Sequence, residues 1–470
     1  MRRFIVIATV GLLAGCMIGP DYRRPAVDLP DAFRYSEKEA LDTANPSWWQ
    51  QFQDPVLDIL IAEALDNNKN VKIATANIEY AAGILVQTRA PLFPQVGYGG
   101  NAARQRASEN NATPLPPTLS NPQTALSLFA GATWEIDLWG RIRRLSEAAR
   151  ANLLASEEAR RGIILSLVAG VADNYLQLRG LDEQLSIAKR TLATYGESVR
   201  LFELKFKYGQ ISRMTVEQAR TQYETAASAI PQIEVQIAQT ENALSLLLGR
   251  NPGPIARGRS IHEIALPAIP VAIPSLVLER RPDIAQSEQN LIAANAQIGA
   301  AKALYFPTIS LTGNYGQASA ELSNLFQGPA RTWSYAGAIT GPIFTAGAIS
   351  GQIQQAEAAR QVGLLTYESS IQNAFADVEN SLVARAKIAE QLQAQERLVS
   401  AAREYTRLAQ LQYDGGYSPY FTVIQAQEQL FPAELNYAKI RASLFTSFVN
   451  IYKAMGGGWI DKPTVNGGPS

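Results

Sequence analysis

Residues Ala90–Gly100 read APLFPQVGYGG, and residues Ala303–Gly316 read ALYFPTISLTGNYG. In each, a Phe-Pro pair separates a stretch of helical character from a run that alternates apolar with polar or small residues. A second pair repeats at nearly the same offset: YGQISRMTVEQA, Tyr208–Ala219, returns as DGGYSPYFTVIQA, Asp414–Ala426, one residue longer. Self-similarity at a fixed offset marks a duplicated structural unit. Each half then reads in one order: short helix, Phe-Pro, strand, loop, strand, long helix, Gly-Ser turn, return helix. The first repeat is placed at 70–248 with strands over 93–104 and 124–139, and the second at 282–456 with strands over 305–316 and 331–345. Residues 249–281, rich in Pro and Gly, form a linker or equatorial region between the repeats. Residues 16–69 precede the first repeat as a further equatorial segment, and 457–470 are a tail.

The strands are two-faced. Leu126, Leu128, Ala130, Ala132, Trp134, Ile136 and Leu138 fall on one side, and Ser127, Thr133, Glu135 and Asp137 on the other. Ile309, Leu311 and Tyr315 oppose Thr308, Ser310, Thr312 and Asn314, while Trp333, Tyr335, Ile339 and Ile343 oppose Thr332, Ser334 and Thr340. Val96 and Tyr98 likewise oppose Gln95 and Asn101. A strand of about ten alternating residues crosses an outer membrane at a tilt, although the same period fits a half-buried soluble sheet. The connections QRASENNATPLPPTLSNPQ and GQASAELSNLFQGPAR are long and polar, as extracellular barrel loops are. Four strands cannot close a barrel, which needs about eight to fill its own interior. An open edge in a bilayer leaves backbone groups unpaired, so strands must be pooled with copies of the same chain.

The helices carry a seven-residue period. Leu178, Leu181, Leu185, Ala188, Leu192, Tyr195, Val199, Phe202 and Phe206 step by alternating threes and fours. Val216, Ala219, Tyr223, Ala226, Ile230, Ile233, Ile237, Thr240, Leu244 and Leu247 keep that step after the turn, as do Val423, Ala426, Leu430, Ala433, Tyr437, Ile440 and Leu444. A strict heptad forces helices to supercoil about neighbours. Ile142–Phe206 as one helix would reach about 95 Å at 1.5 Å per residue. Val71–Ala90 with Ser212–Leu248, and Pro282–Ala303 with Pro419–Met455, match the lengths of Ile142–Phe206 and Gly347–Tyr413, predicting four helical columns per chain. Pro231 and Pro432 should bend the return helices.

The chain opens on MRR and a short apolar run ending in LAGC, too short to span a bilayer and built as a signal peptide over residues 1–15. LAGC resembles a bacterial lipoprotein box, which implies that Cys16 becomes a lipid-carrying N-terminus; Met17 after it resembles the pattern sorted to the outer membrane. Cys16 is the one cysteine, so no internal disulfide is available. The 42 basic and 42 acidic residues balance, and no basic block suggests nucleic acid. His262, the one histidine, lies in the linker, which excludes a His-based triad or His-rich metal site, and there is no phosphate-binding Gly-Lys-Ser/Thr loop. The sequence therefore predicts neither an enzyme nor a cofactor beyond the N-terminal lipid.

GCMIGPDYRRPAV, PSLVLERRPDIAQSEQNLIAANAQIGAAKALYFPTISLTGNYG and the two Gly-Ser turns together resemble the lipoprotein branch of the TolC-like outer-membrane factors of tripartite efflux pumps. The resemblance covers essentially the whole mature chain. It implies a mixed α and β membrane protein, a homotrimer whose shared β-barrel of three times four strands continues into a periplasmic α-helical barrel with a small equatorial domain. It implies a passive duct for drugs, solvents or similar toxic compounds, working with a periplasmic adaptor protein and an inner-membrane pump of the resistance-nodulation-division type. Leu126, Leu128, Trp134, Ile136, Ile309, Leu311, Trp333, Tyr335 and Ile339 would face lipid. KYGQIS, Lys207–Ser212, and QYDGGYS, Gln412–Ser418, would be periplasmic tips: Gly permits the reversal, Ser212 or Ser418 caps the next helix, and Gly209, Ser212, Gly415, Gly416 and Ser418 meet the adaptor. Asp414, with Tyr413 and Leu411 beside it, is the candidate gate, as a ring of charge or simply as a turn residue. A channel for protein secretion, or a lipid-anchored periplasmic coiled-coil adaptor or scaffold, are the alternatives.

Overall fold

The computed structural model describes residues 17–26, 33, 47–108, 110, 116, 120–269 and 274–457. The signal-peptide segment, Cys16 and nearly all of the tail lie outside the described residues. In chain order the elements are α1 (Pro55–Asn67), α2 (Lys69–Arg89), β1 (Gln95–Gln105), β2 (Gln123–Ile136), α3 (Arg141–Lys207), α4 (Arg213–Leu247), α5 (Pro274–Arg280), α6 (Pro282–Ala303), β3 (Thr308–Ser319), β4 (Arg331–Thr340), α7 (Ala348–Asp414) and α8 (Tyr420–Ala454). Both long helices, α3 and α7, run for 67 residues, and both return helices, α4 and α8, for 35. The duplication is therefore exact in the lengths of the long and return helices, while α2 and α6 differ by one residue, at 21 and 22. Pro231 and Pro432 sit inside α4 and α8, which continue through them.

Two compact units divide the chain. The first, 1–26, 77–156 and 286–367, holds the sheet with the helix segments that enter and leave it. Its four strands form one antiparallel sheet in the order β1-β2-β3-β4, in which α3 to α6 separate β2 from β3 along the chain. Prolines set the strand limits. Pro94 and Pro307 have no N–H for the ladder, and Phe93 and Phe306 donate instead to Ala90 O (3.0 Å) and Ala303 O (3.1 Å), so β1 and β3 begin later than 93 and 305. Pro342 ends β4 at Thr340 rather than 345, which leaves Ile343 outside the sheet. Strand β2 stops at Ile136 because Asp137 turns its carboxylate to the start of α3, accepting from Ile142 N (3.0 Å) and Arg143 N (2.9 Å). Leu138 is thus not a strand residue. Ala148 and Ala151 of α3 meet Ala293 and Ala296 of α6 in a buried small-residue contact.

The second unit, 27–76, 157–285 and 368–470, is helical. Of the heptad positions on α3, Leu178, Ala188, Tyr195 and Phe202 are buried, whereas Phe206 is 44% exposed at the helix end. Ile187, Ala188 and Tyr195 of α3 pack with Ala226 and Ile233 of α4 and with Phe431 and Ala438 of α8. Gly180 allows α3 and α8 to close, since a Cβ there would stand 2.5 Å from Ala442 Cβ. Before α1, Trp48 stacks on Tyr452 at 5.0 Å and donates to Gly457 O at 3.2 Å. Asp54 caps α1 through Val56 N (3.0 Å) and also accepts from the Tyr175 hydroxyl (2.7 Å) and Arg259 N (3.1 Å). Burial, with Asp54 beside it, pushes the Tyr175 phenol well above its usual range. Arg281 ends α8 by donating to Ala454 O at 3.0 Å and is held by Asp283 (2.7 Å) and Asp377 (3.0 Å).

Candidate functional site

Directly paired residues of an antiparallel sheet share a face, so the register fixes which side each strand residue presents. Trp134 pairs with Leu311, and Ile136 with Ile309, which in turn pairs with Ile339. Tyr315 lies between Ala130 and Trp333, and Gly313 pairs with Tyr335. Leu126 and Leu128 follow the same parity, as do Val96 opposite Ala132 and Tyr98 opposite Ala130. All nine strand positions singled out in the sequence therefore stand on one face of one sheet. The opposite face carries Gln95, Asn101, Ser127, Thr133, Glu135, Thr308, Ser310, Thr312, Asn314, Ser334 and Thr340.

One aromatic breaks the pattern. Phe129 pairs with Gly99 and Gly316 and so lies on the polar face. A Cβ at Gly99 would stand 2.7 Å from its ring, so the ring lies against Gly99, while one at Gly316 would stand 2.3 Å from Leu128 O and 2.7 Å from Phe129 Cα, so the strand backbones approach closely there. The spacing from Ser127 and Thr133 already placed Phe129 on that side in the sequence, but nothing there showed its glycine floor.

The sheet is open. Strands β1 and β4 are its edges, each pairing with a single neighbour. Below it, Trp134 donates to Leu92 O at 3.1 Å, and Trp139 donates to Pro307 O at 2.8 Å while packing on Phe306 at 4.7 Å. The residues after Cys16 are fastened to the same unit. Ile18 N donates to Trp139 O at 3.2 Å, and Arg144, 2% exposed, donates to Ile18 O (3.1 Å), Gly19 O (3.2 Å) and Asp21 (2.8 Å). Asn295 donates to Pro20 O at 2.8 Å, and Glu288 accepts from Tyr22 (3.0 Å) and Arg24 (2.8 Å). Gly19 has φ +100°, and a Cβ there would stand 2.3 Å from Gly299 Cα. Sequence reasoning missed this strap because most of its acceptors are backbone carbonyls, which every residue has.

The two Gly-Ser turns come together in the second unit. Phe202 near the end of α3 meets Tyr420 at the start of α8 (4.3 Å, edge to face) and Tyr413 near the end of α7 (6.1 Å). Val216, Ala219, Ala409, Val423, Ile424 and Ala426 complete the buried cluster, with Ile211 against it. Lys205 Nζ lies 5.4 Å from the Tyr413 ring centre. Burial pushes the Tyr420 phenol up to about 12.

Gly209 (φ +69°) and Gly416 (φ +74°) supply the left-handed residues that end α3 and α7. Gly415 has no left-handed backbone angle, and a Cβ there would stand 2.9 Å from the ring of Tyr417, an exposed side chain that can turn aside. Ser212 caps α4, accepting from Thr215 N at 3.4 Å. Ser418 does not cap α8: Pro419 occupies the cap position, and the Ser418 hydroxyl has no hydrogen-bond partner among the described residues. The extra residue in the second turn displaces Ser418 by one position. Asp414 is exposed and accepts from Gln410 Nε2 at 2.9 Å, and Leu411 is 55% exposed. His262 Nε2 lies 3.5 Å from Glu183. Among the described residues no group of His, Cys, Asp and Glu could hold a metal ion, and no helix is long and apolar enough to cross a membrane.

Residues 60–250 and 273–457 match the family model described as outer membrane efflux protein. The chain is 38% identical over 462 residues to the toluene efflux pump outer membrane protein TtgC of Pseudomonas putida, covering 97% of this chain and 95% of that protein. It is 34% identical to the probable outer membrane lipoprotein SilC of Salmonella typhimurium, over 98% of this chain and 99% of that one. Among solved structures, the open state of the Neisseria gonorrhoeae MtrE outer membrane channel superposes with a TM-score of 0.86 at 31% identity, covering 94% of this chain and 99% of that one.

Proposed function

The chain belongs to the outer membrane efflux protein family, and on that premise we propose that three copies join their open sheets edge to edge into one barrel. The protein is an outer-membrane channel for efflux of small toxic compounds, and its relatives named for toluene efflux favour that cargo class over secreted proteins. The observation that carries the trimer is the sheet itself. It is apolar on one face and polar on the other, yet both edges are unpaired over 10 and 11 residues. Several kcal/mol would be lost for each backbone group left open in hydrocarbon, so pairing β1 of one copy with β4 of the next removes the largest single cost of insertion. The nine apolar positions then face lipid and the Ser, Thr and Asn face lines water.

Within the same reading Cys16 carries the lipid anchor and the strap from Met17 to Arg24 ties that anchor to the sheet. The turns at Gly209, Ser212, Gly415, Gly416 and Ser418 form the periplasmic tips that meet an adaptor protein, which brings an inner-membrane pump of the resistance-nodulation-division type to the duct. Asp414, Tyr413 and Leu411 recur around the axis and narrow the entrance. Mass measurement of the full chain in detergent, with planar-bilayer conductance on the same sample, tests the assembly. A trimer that conducts is expected. A monomer that leaves the bilayer silent would remove the barrel.

A further inference from the structure

The apolar face of the sheet has two unlike ends. At the end nearest the helices it finishes on Ile136, Ile309 and Ile339, which lie side by side in register. At the loop end the same face carries Arg104 on β1 and Arg331 on β4. Between them stand Thr124, Gln317 and Ser319, with Gln317 directly opposite Arg331. Both arginines are exposed, and neither side chain has a hydrogen bond or ion pair among the described residues. Two guanidinium groups, unpaired among the described residues, thus border a face whose other polar residues are Thr124, Gln317 and Ser319 beside them, and they do so at one end alone.

We propose that this rim binds the phosphate groups of the glycolipids that make up the outer leaflet of the outer membrane. Three features of the site favour that occupant. A guanidinium fork matches a phosphate through two parallel hydrogen bonds and is more easily desolvated than an ammonium, so arginine suits a phosphate held at the edge of hydrocarbon. The charges stand where the strands leave the apolar zone, the depth at which an arginine on a lipid-facing strand is tolerated and where anionic headgroups are met. The asymmetry between the two ends follows the asymmetry expected of the bilayer, with anionic phosphate concentrated on the side of the long polar loops.

The placement on β1 and β4 adds to this, and here the inference rests on the closed barrel proposed above. Those are the two edge strands, so closure brings Arg104 of one copy and Arg331 of the next to adjacent strands. Two like charges there repel unless an anion lies between them, and a phosphate at each seam would join neighbouring copies while satisfying both side chains.

The full-length protein in detergent is titrated with lipid A bearing its two phosphates and with the same lipid stripped of phosphate, and bound lipid is counted by native mass spectrometry. The wild type is expected to bind the phosphorylated lipid at least about ten-fold more tightly than the stripped one. Arg104→Gln with Arg331→Gln should abolish that preference, while Arg104→Lys with Arg331→Lys keeps part of it. A double Gln variant that binds phosphorylated lipid as the wild type does overturns the proposal. So does a wild type indifferent to the phosphates, or one from which inorganic phosphate at matched concentration displaces the lipid. The same spectra report the oligomer: a monomer defeats the barrel, whereas a trimer without phosphate preference defeats the lipid site alone.

Discussion

Replacing Arg144 by Met should release the strap that follows Cys16, and it also removes the bond to Glu147 (2.9 Å) on the same helix, an i,i+3 pair worth only about 0.2–0.5 kcal/mol. Arg144 is 2% exposed, so Met keeps most of the volume and the packing of the aliphatic stem while removing every donor. Its bonds are unequal. The two to Ile18 O (3.1 Å) and Gly19 O (3.2 Å) join a buried cation to backbone carbonyls, each worth about 1.5–3 kcal/mol. The bond to Asp21 (2.8 Å) reaches a carboxylate that is 87% exposed, and exposed ion pairs contribute only about 0–1 kcal/mol. Arg144→Met should therefore cost the docked strap about 3 kcal/mol or more, whereas Asp21→Asn should be close to neutral. Native-state hydrogen exchange reads this at the Ile18 amide, which donates to Trp139 O at 3.2 Å and exchanges only when the strap lifts. At 1.4 kcal/mol per factor of ten, exchange of that amide should accelerate on the order of a hundred-fold in Arg144→Met. Unchanged exchange, or an Asp21→Asn effect as large as that of Arg144→Met, would refute the ranking of buried carbonyl bonds over the exposed ion pair.

Phe202→Ala removes the ring between Tyr413 and Tyr420 and should cost about 3–5 kcal/mol at the turns, seen as faster exchange in Lys205–Thr215 and as a larger conductance if the clasp keeps the entrance narrow. Gly209→Ala meets no neighbour within 4 Å but must adopt φ +69°, so thermal denaturation should report a loss of only about 1–2 kcal/mol. The Tyr420 phenol titrates near 12 when folded and about 10 when unfolded, so the folded state holds the extra proton between those values. Its contribution to stability should be level below about pH 10 and decline by roughly 3 kcal/mol towards pH 12, on top of the decline from the buried Tyr175 phenol, so in a pH series of denaturant melts Tyr420→Phe should remove only that share. Leu128→Arg, on the apolar face, should reduce the yield of membrane-inserted oligomer, at about 2–4 kcal/mol if that face meets lipid, while Ser127→Arg on the other face leaves it intact.

The helices were legible almost to the residue because their heptads set both their length and their buried seam. Ser212–Leu248 and Pro419–Met455, read from the pattern, became Arg213–Leu247 and Tyr420–Ala454 between their caps. The strands were legible in their faces but not in their ends. Alternation continues through Tyr305 and Ile343, whereas the ladder stops where Pro307 and Pro342 withhold a donor, as it does at Pro94. Helix α1 lies within the segment 16–69 that precedes the first repeat and is not marked by any periodicity. Its evidence was local, a cap at Asp54 followed by Pro55 at the first helical position, and 13 residues are too few to show a long period.

What the sequence hid falls into one physical class: polar side chains whose partners are distant backbone atoms. Arg144, Asn295 and Arg281 each hold a carbonyl more than a hundred positions away, at Ile18, Pro20 and Ala454. No spacing rule reaches that far, and a carbonyl has no residue identity to give it away. Apolar periodicity betrays a face because burial acts on many residues in the same way, whereas each of these bonds is a single event. Arg281, at the start of α6, serves the carbonyl of Ala454 at the end of α8. There the repeating hydrogen bonds run out, and an orphaned group must find its partner across the fold. The strap behind Cys16 has the same logic. It has no helix or strand of its own, so side chains of α3 and α6 supply the hydrogen bonds that its backbone cannot make with itself.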